Sequence, residues 1–322
     1  MKAAVYDQTG GPEVFRYADM PDPVCPPDGV LIDVEVISIE GGDLGHRARG
    51  ELASVPHIVG YQCAGTIAEV GAEVSDRSVG QRAVAVMMHG SHAERVAVAS
   101  GQTWIVPEGA DLEQAACIPI AVGTADDCLF EFGRLTAGET VLVHAGAGGV
   151  GMAAIQLAKR AGAQVLATAS SAEKLDRLKA LGLDHGINYR EVDFVGAARE
   201  ITGGRGVDLV VDSIGGENLV RSIEAAAYRG RIITVGSTAR EPDRVDASTL
   251  RPGNKSLTGV FFGAELALHH DRVHPMVARH IDDLARGRLE IVIDRRYPLA
   301  EAAAAHAYIE GRMAFGRVLL IP

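Results

Sequence analysis

Residues 140–170, TVLVHAGAGGVGMAAIQLAKRAGAQVLATAS, decide the fold. TVLVHA is an apolar run of strand length, and glycines follow it at once. Beyond them Met152, Ile155, Gln156 and Lys159 recur at helical spacing, with apolar members for a sheet to cover and a lysine for water. Gly146, Gly148 and Gly151 fit GxGxxG between the two elements. Gly146 permits the tight turn, Gly148 removes the side chain where a pyrophosphate must approach backbone, and Gly151 lets helix and strand pack closely. The helix start, Gly149 and Val150 included, then offers unpaired N–H groups to phosphate. Taken alone, the motif also suits a glycine-rich turn that binds nothing. The strand–helix–strand context, with QVLATAS as the next strand, favours a dinucleotide.

The end of that next strand bears on which dinucleotide. An NAD-preferring protein usually ends it with Asp or Glu. This chain has Ala169, Ser170 and Ser171 there, so a 2′-phosphate meets no carboxylate, and the hydroxyls and Lys174 can supply hydrogen bonds and compensating charge. NADPH is therefore expected over NADH. Tyr189 can bring a phenolic donor to the same face, with core packing as its alternative, just as Lys174 also suits an ordinary solvent-facing position.

Composition supports a compact, soluble, two-domain chain. Of 322 residues, 47% are hydrophobic and 23% charged, enough for both a core and a solvated surface. The 31 basic and 42 acidic residues leave a formal net charge of -11, which opposes nucleic acid at long range. Cys25, Cys63, Cys117 and Cys128 are far apart and form no CxxC pair, so neither a disulfide framework nor a thiolate metal cage is indicated. MKAAVYDQTGG lacks the long apolar core of an export signal, and the uncharged run 140–158 is broken by four glycines, so a cytoplasmic protein without a membrane span is expected.

KAAVY, VLIDVEVI, GTIAEVG, RAVAVMM and ERVAVA predict short strands in a mainly β first third with few helices. From about residue 120 the pattern turns to α/β alternation, with helices near 150–160 and 172–181 and strands at VDLVVDSIGG, RGRIITVG and the edge candidate NKSLTGVFF. A mobile surface loop is expected at 241–254. A helical stretch over 266–286, the apolar run LEIVID, a helix over 299–311 and a final strand GRVLLIP close the chain.

With AVYDQTGGPEVF, VPHIVGYQCAGTIAEVG, VGQRAV, PIAVGTADDCLFEFGRLTAGETVLVHAGAGGVGMAAIQLAK, VDLVVDSIGG, RGRIITVG and AYIEGRMAFGRVLLIP together, the chain resembles the medium-chain dehydrogenase/reductase superfamily, specifically its zinc-independent, quinone-oxidoreductase-like branch. The resemblance implies an α/β fold: a Rossmann coenzyme domain, 123–263, inserted in a mainly β, GroES-like catalytic domain made of 1–122 and 264–322. It implies a homodimer paired through the edge strand matching NKSLTGVFF. Zinc-dependent relatives have a CxxD segment, a GHE segment and a later cysteine. These correspond here to Glu40 with Asp43, to Gly60-Tyr61-Gln62, and to Ile120 ahead of Gly123-Thr124-Ala125. All three ligands are replaced, and the four-cysteine structural lobe is missing because VAVMMHGSHAERVAV runs directly between strands. No metal is expected.

The same resemblance implies hydride transfer from NADPH in a cleft between the domains. Without a Lewis acid, a quinone suits that hydride, since conjugation carries charge away from the attacked atom. Reduction of an activated alkene, an enone or enal, is the alternative, and a non-catalytic NADPH-binding protein is a third reading. Thr124 matches a threonine beside the nicotinamide, and Phe262 and Gly263 match a segment whose backbone fixes its carboxamide. Asp212 with Ser213, and Gly236 with Ser237, lie at successive strand ends, as cofactor contacts or as turn and cap residues. Tyr61 is the first proton-donor candidate, with packing as its alternative. Asp43 and His46 are further catalytic candidates, Asp43 also as a loop support. Relatives commonly carry Asn in place of Glu40 and Tyr in place of Asp126.

Overall fold

The structure is a computed structural model and describes residues 1–322. Its first part contains β1 (Lys2–Tyr6), β2 (Arg16–Asp19), β3 (Gly29–Ser38), α1 (Gly41–Arg49), β4 (His57–Ile58), β5 (Gln62–Val70), β6 (Arg82–Val86), β7 (Arg95–Ala99), β8 (Thr103–Ile105), α2 (Leu112–Ala115) and α3 (Gly123–Asp126). The middle alternates β9 (Thr140–Val143), α4 (Gly149–Arg160), β10 (Gln164–Ala169), α5 (Ala172–Lys179), β11 (His185–Asn188), α6 (Phe194–Ile201), β12 (Val207–Asp212), α7 (Glu217–Ala225), β13 (Ala226–Thr234) and β14 (Ser256–Gly259). Then follow α8 (Phe262–Leu268), α9 (His270–Ala285), β15 (Ile293–Pro298), α10 (Ala302–Glu310) and β16 (Arg317–Ile321).

Contacts divide the chain into two compact units, Met1–Ala121 with His274–Pro322, and Val122–Val273. The second unit runs past Gly263 because Arg272 binds the Asp127 carboxylate at 2.6 and 3.1 Å and Glu265 at 2.8 Å, which ties α8 and the start of α9 to it.

The first unit is built on a seven-stranded sheet in the order β15-β16-β3-β5-β6-β8, with β7 also paired to β3, and a three-stranded sheet β2-β1-β4. β3 shows why. Ile32, Val34 and Val36 are buried while Asp33 and Glu35 between them face out, the period of two that a one-sided core imposes. Ile32 and Val34 join Ile67, Ala83, Val96 and Leu320 in one apolar cluster, and an irregularity between Val34 and Val36 brings Ile37 into it as well.

The second unit is a six-stranded parallel sheet in the order β11-β10-β9-β12-β13-β14. Its strands carry helices on both faces, so TVLV of β9 is buried at every position, as a central parallel strand must be. The order reverses between β9 and β12, and in open α/β sheets ligands bind beyond the strand ends at that point.

Three expectations change in detail. Residues 241–254 are not all loop, since a 3₁₀ helix covers Ala247–Gly253, its start capped by Asp246, whose carboxylate accepts from the Ser248 N–H at 2.8 Å. LEIVID is a strand only from Ile293, which extends into the polar RRYP and pairs with β16. α1 arises in EGGDLGHRAR, a glycine-rich segment with no sequence expectation of a helix.

Candidate active site

In the second unit, the phosphate turn follows β9. The backbone of Gly148 caps α4 with φ −89° and ψ 172°, and no side chain caps this helix. Gly146 and Gly151 are glycines for packing. A Cβ on Gly146 would sit 2.9 Å from the Ala167 Cβ, and one on Gly151 only 2.4 Å from the Ala145 carbonyl oxygen. Gly148 is different: its φ and ψ suit any residue, and a Cβ there would meet only the Ala145 oxygen, at 3.3 Å. The chain packs less tightly against this position than against Gly146 or Gly151, and a side chain here would stand between an anion and the uncapped helix start. Ala145 holds a left-handed φ of 50°, which costs a non-glycine residue about 1 kcal/mol, so the surroundings must enforce the turn. The Gly146 N–H donates to the Thr168 carbonyl at 2.9 Å, and the Gly148 N–H to the Ala145 carbonyl at 2.9 Å. These features fit the phosphates of a dinucleotide.

Around the end of β10 the structure brings Ser170, Ser171, Lys174 and Tyr189 together. The Ser171 hydroxyl caps α5, accepting from the Lys174 N–H at 3.3 Å. The Tyr189 N–H donates to the Ala169 carbonyl at 3.3 Å, and its ring is 42% exposed, so it is not a core residue. Ser213, Gly236 and Ser237 also gather. The Ser213 carbonyl accepts from the Thr238 N–H at 3.3 Å, and a Cβ on Gly236 would lie 3.2 Å from that same oxygen. Thr124 sits in α3, between π-helical turns at Ile118–Val122 and Asp127–Glu131. Phe262 packs against the same helix, where a Cβ on Gly123 would lie 2.4 Å from the Phe262 ring, and Gly263 follows it in α8.

Asp212 takes the turn-forming part of its two readings. It is fully buried, and its carboxylate accepts from the N–H groups of Ile214 and Gly215, from the Asn218 amide and from the Ser222 hydroxyl, at 2.7 to 3.0 Å. With both oxygens committed inside the protein, it holds the end of β12 and the start of α7.

In the first unit, Tyr61 lies beside α1, close enough that a Cβ on Gly42 would come within 2.3 Å of its ring. Burial, with the carboxylates of Asp43 and Glu40 nearby, pushes its phenol up to about 12, so it keeps its proton at neutral pH. Asp43 is fully buried and accepts from the Glu40 N–H at 2.7 Å, which caps α1; burial raises its carboxyl well above the ordinary range. In this position it supports the helix start. His46 bonds the Tyr6 hydroxyl at 3.3 Å and stacks on His57, ring centroids 5.0 Å apart, and burial lowers its imidazole. Hydrogen bonds therefore take His46 to Tyr6, not to Tyr61.

A buried network escaped the sequence reading. Arg317 bonds the Glu40 carboxylate and donates to the Ser38 hydroxyl and the Ile39 carbonyl, both at 2.6 Å. Gln62 donates to the Glu40 carboxylate at 2.5 Å, and its carbonyl oxygen accepts from the Ile120 N–H at 3.1 Å. Burial raises the Glu40 carboxyl, with Arg317 opposing. Only the position of Arg317, a lone cation at the head of the apolar run VLLI, hints at a partner elsewhere.

The alcohol dehydrogenase GroES-like domain model matches residues 26–152, and the zinc-binding dehydrogenase model matches 149–279. The chain is 31% identical to the 2-haloacrylate reductase of Burkholderia sp. over 99% of its length and 98% of that protein's. It is also 31% identical to the quinone oxidoreductase of Sus scrofa, over 97% of this chain and 95% of that one. The solved Escherichia coli quinone oxidoreductase complexed with NADPH superposes with a TM-score of 0.92 at 26% identity, covering all of both chains. The chain belongs to the medium-chain dehydrogenase/reductase superfamily. Within it the chain is an oxidoreductase of the quinone-oxidoreductase type.

One matched model is named for zinc, and the donors of this chain do not fit that metal. Glu40 is committed to Arg317, whose guanidinium already balances its charge, Ile120 has no donor atom in its side chain, and burial pushes the Cys117 and Cys63 thiols up to about 11 and 12. No group of three His, Cys, Asp or Glu side chains in it could hold a metal ion.

Proposed function

We propose that this medium-chain reductase uses NADPH, without a metal, to reduce quinones. The observation that carries the reading is the end of β10: Ala169-Ser170-Ser171 offers two hydroxyls and no carboxylate, beside the first turn of α5 with Lys174, at the strand end that follows an uncapped helix start. The 2′-phosphate of NADPH has two charges to place, and hydroxyl and ammonium donors accommodate them where a carboxylate would repel them. NADPH, when bound, supplies a hydride from its nicotinamide. The quinone takes that hydride and one proton and leaves as the hydroquinone. Thr124 and the backbone at Phe262 and Gly263 would orient the nicotinamide, and Ser213, Gly236 and Ser237 would meet the cofactor from the strand ends. Tyr61, protonated at neutral pH, donates the proton. Conjugation in the acceptor spreads the developing charge, so no Lewis acid is required.

The 2-haloacrylate reductase relative favours a second reading, reduction of an activated carbon–carbon double bond. NADPH oxidation followed at 340 nm across a quinone panel tests the first reading; no acceleration over the uncatalysed rate refutes it. Deuterated nicotinamide separates the two, because only alkene reduction leaves label on carbon. β14 is the outermost strand of its sheet, and we infer a homodimer paired there, testable by sedimentation. No helix is long and apolar enough to cross a membrane; we place the protein in the cytoplasm, which fractionation tests.

A further inference from the structure

Beneath the glycine turn, four polar side chains that the mechanism does not use or uses only as a turn support form one buried line within the second unit. The Thr168 hydroxyl lies 3.1 Å from the His144 Nδ1, the His144 Nε2 lies 3.0 Å from the Ser222 hydroxyl, and that hydroxyl donates to the Asp212 Oδ2 at 2.7 Å. All four residues are at most 3% exposed. They join β10, the residue after β9, α7 and the end of β12.

Proton accounting gives the line a direction. Asp212 receives four donors and so is an acceptor only, which takes the single Ser222 proton. The Ser222 oxygen can then only accept from His144, which must carry its proton on Nε2. Burial disfavours the imidazolium, so Nδ1 is bare and accepts from the Thr168 hydroxyl. The groups facing the imidazole are thus Thr168 from β10, Asp212 from β12, Ser222 from α7, and the Phe194 ring from α6, packed edge-on at a centroid distance of 4.7 Å.

His144 also immediately precedes Ala145, the residue with φ of 50°, and its N–H donates to the Val211 carbonyl at 3.0 Å. Thr168, at the head of the line, holds the Gly146 N–H through its carbonyl. His144 by its place in the chain and Thr168 by its backbone carbonyl therefore flank the strained turn, and the bond between their side chains ties the two flanks together. We propose that His144, fixed as the neutral Nε2–H tautomer in the line Thr168→His144→Ser222→Asp212, is a positioning residue that holds the turn 145–148 in the shape that receives the cofactor phosphates. The inference rests on the dinucleotide reading above.

Thr168→Val and Ser222→Ala each remove one hydroxyl from the line. Each is expected to weaken NADPH binding, measured by calorimetry, by about 3–10-fold, the worth of one buried hydrogen bond. The KM of the acceptor at saturating NADPH should stay unchanged, and Thr168→Ser should bind NADPH as the wild type does. Nitrogen-15 NMR of the imidazole at neutral pH should show Nε2 protonated and Nδ1 bare in the wild type. An Nδ1–H tautomer, an imidazolium, or wild-type NADPH affinity in folded Thr168→Val and Ser222→Ala overturns the inference alone. A wild-type chain that binds no nicotinamide dinucleotide overturns both it and the reading on which it rests.

Discussion

Gly148→Val separates what the fold needs from what a ligand needs. Valine adopts φ −89° and ψ 172° readily, and its Cβ would press only on the Ala145 oxygen, at 3.3 Å. Placing valine at a helix cap costs about 1 kcal/mol, so the variant should remain folded with a modestly lower unfolding temperature. Its methyl groups, however, would stand over the start of α4, where phosphate oxygens must come within hydrogen-bonding distance of backbone N–H groups. Losing two such charged contacts, at about 1.5–3 kcal/mol each, weakens binding by about 3–6 kcal/mol, or a factor of roughly 10² to 10⁴. Gly151→Ala is the control with the opposite signature: its Cβ lies 2.4 Å from a backbone oxygen that cannot rotate away, so it should melt far earlier. Titration calorimetry with NADPH, beside thermal unfolding of both variants, is the assay. Wild-type NADPH affinity in folded Gly148→Val would refute the reasoning, as would a Gly148→Val that melts like Gly151→Ala.

Arg317→Met leaves the Glu40 carboxylate buried without its cation and should destabilise the chain by about 3–5 kcal/mol, of which adding Glu40→Gln restores a part; equal urea midpoints for the wild type and Arg317→Met would contradict the pairing. Burial lowers His92 to about 3, below its unfolded value, so its contribution is present above that unfolded value and is lost as pH falls toward 3. His92→Gln should therefore flatten the loss of stability between pH 6 and 4 by about 1.4 kcal/mol per pH unit, and an unchanged slope in urea titrations would count against it. Tyr61→Phe should lower kcat by about 10²-fold and leave NADPH affinity alone; full kcat in stopped-flow assays removes Tyr61 as the proton donor. Chelation should leave turnover intact, and a loss of activity that zinc restores would refute the metal-free reading.

What could be read from the sequence tracks how far apart the deciding residues lie. The strand–turn–helix of 140–160 is settled by neighbours, and the three glycines announce it without any knowledge of the rest of the chain. α1 was hidden because three glycines in EGGDLGHRAR each cost a helix about 1 kcal/mol, and only packing overrides that; Gly42 is needed where the Tyr61 ring crowds the helix. The π-helical turns beside Thr124 break the 3.6-residue period on which helix reading depends. The burial of Asp43 was not legible, because residue type is visible in a sequence while burial is not, although its spacing from Glu40, three residues on, is that of a helix-start pair. The Glu40–Arg317 pair joins residues 277 positions apart, and His144 meets Ser222 across 78. Periodicity carries no information at such separations. A charged or polar side chain at the end of a buried strand must nonetheless be paired somewhere, since burying it alone costs several kcal/mol for a charge and about 1–3 kcal/mol for a neutral polar group. Arg317 before VLLI, and His144 after TVLV, are therefore positions where the amino-acid pattern demands a distant partner even while it withholds which one.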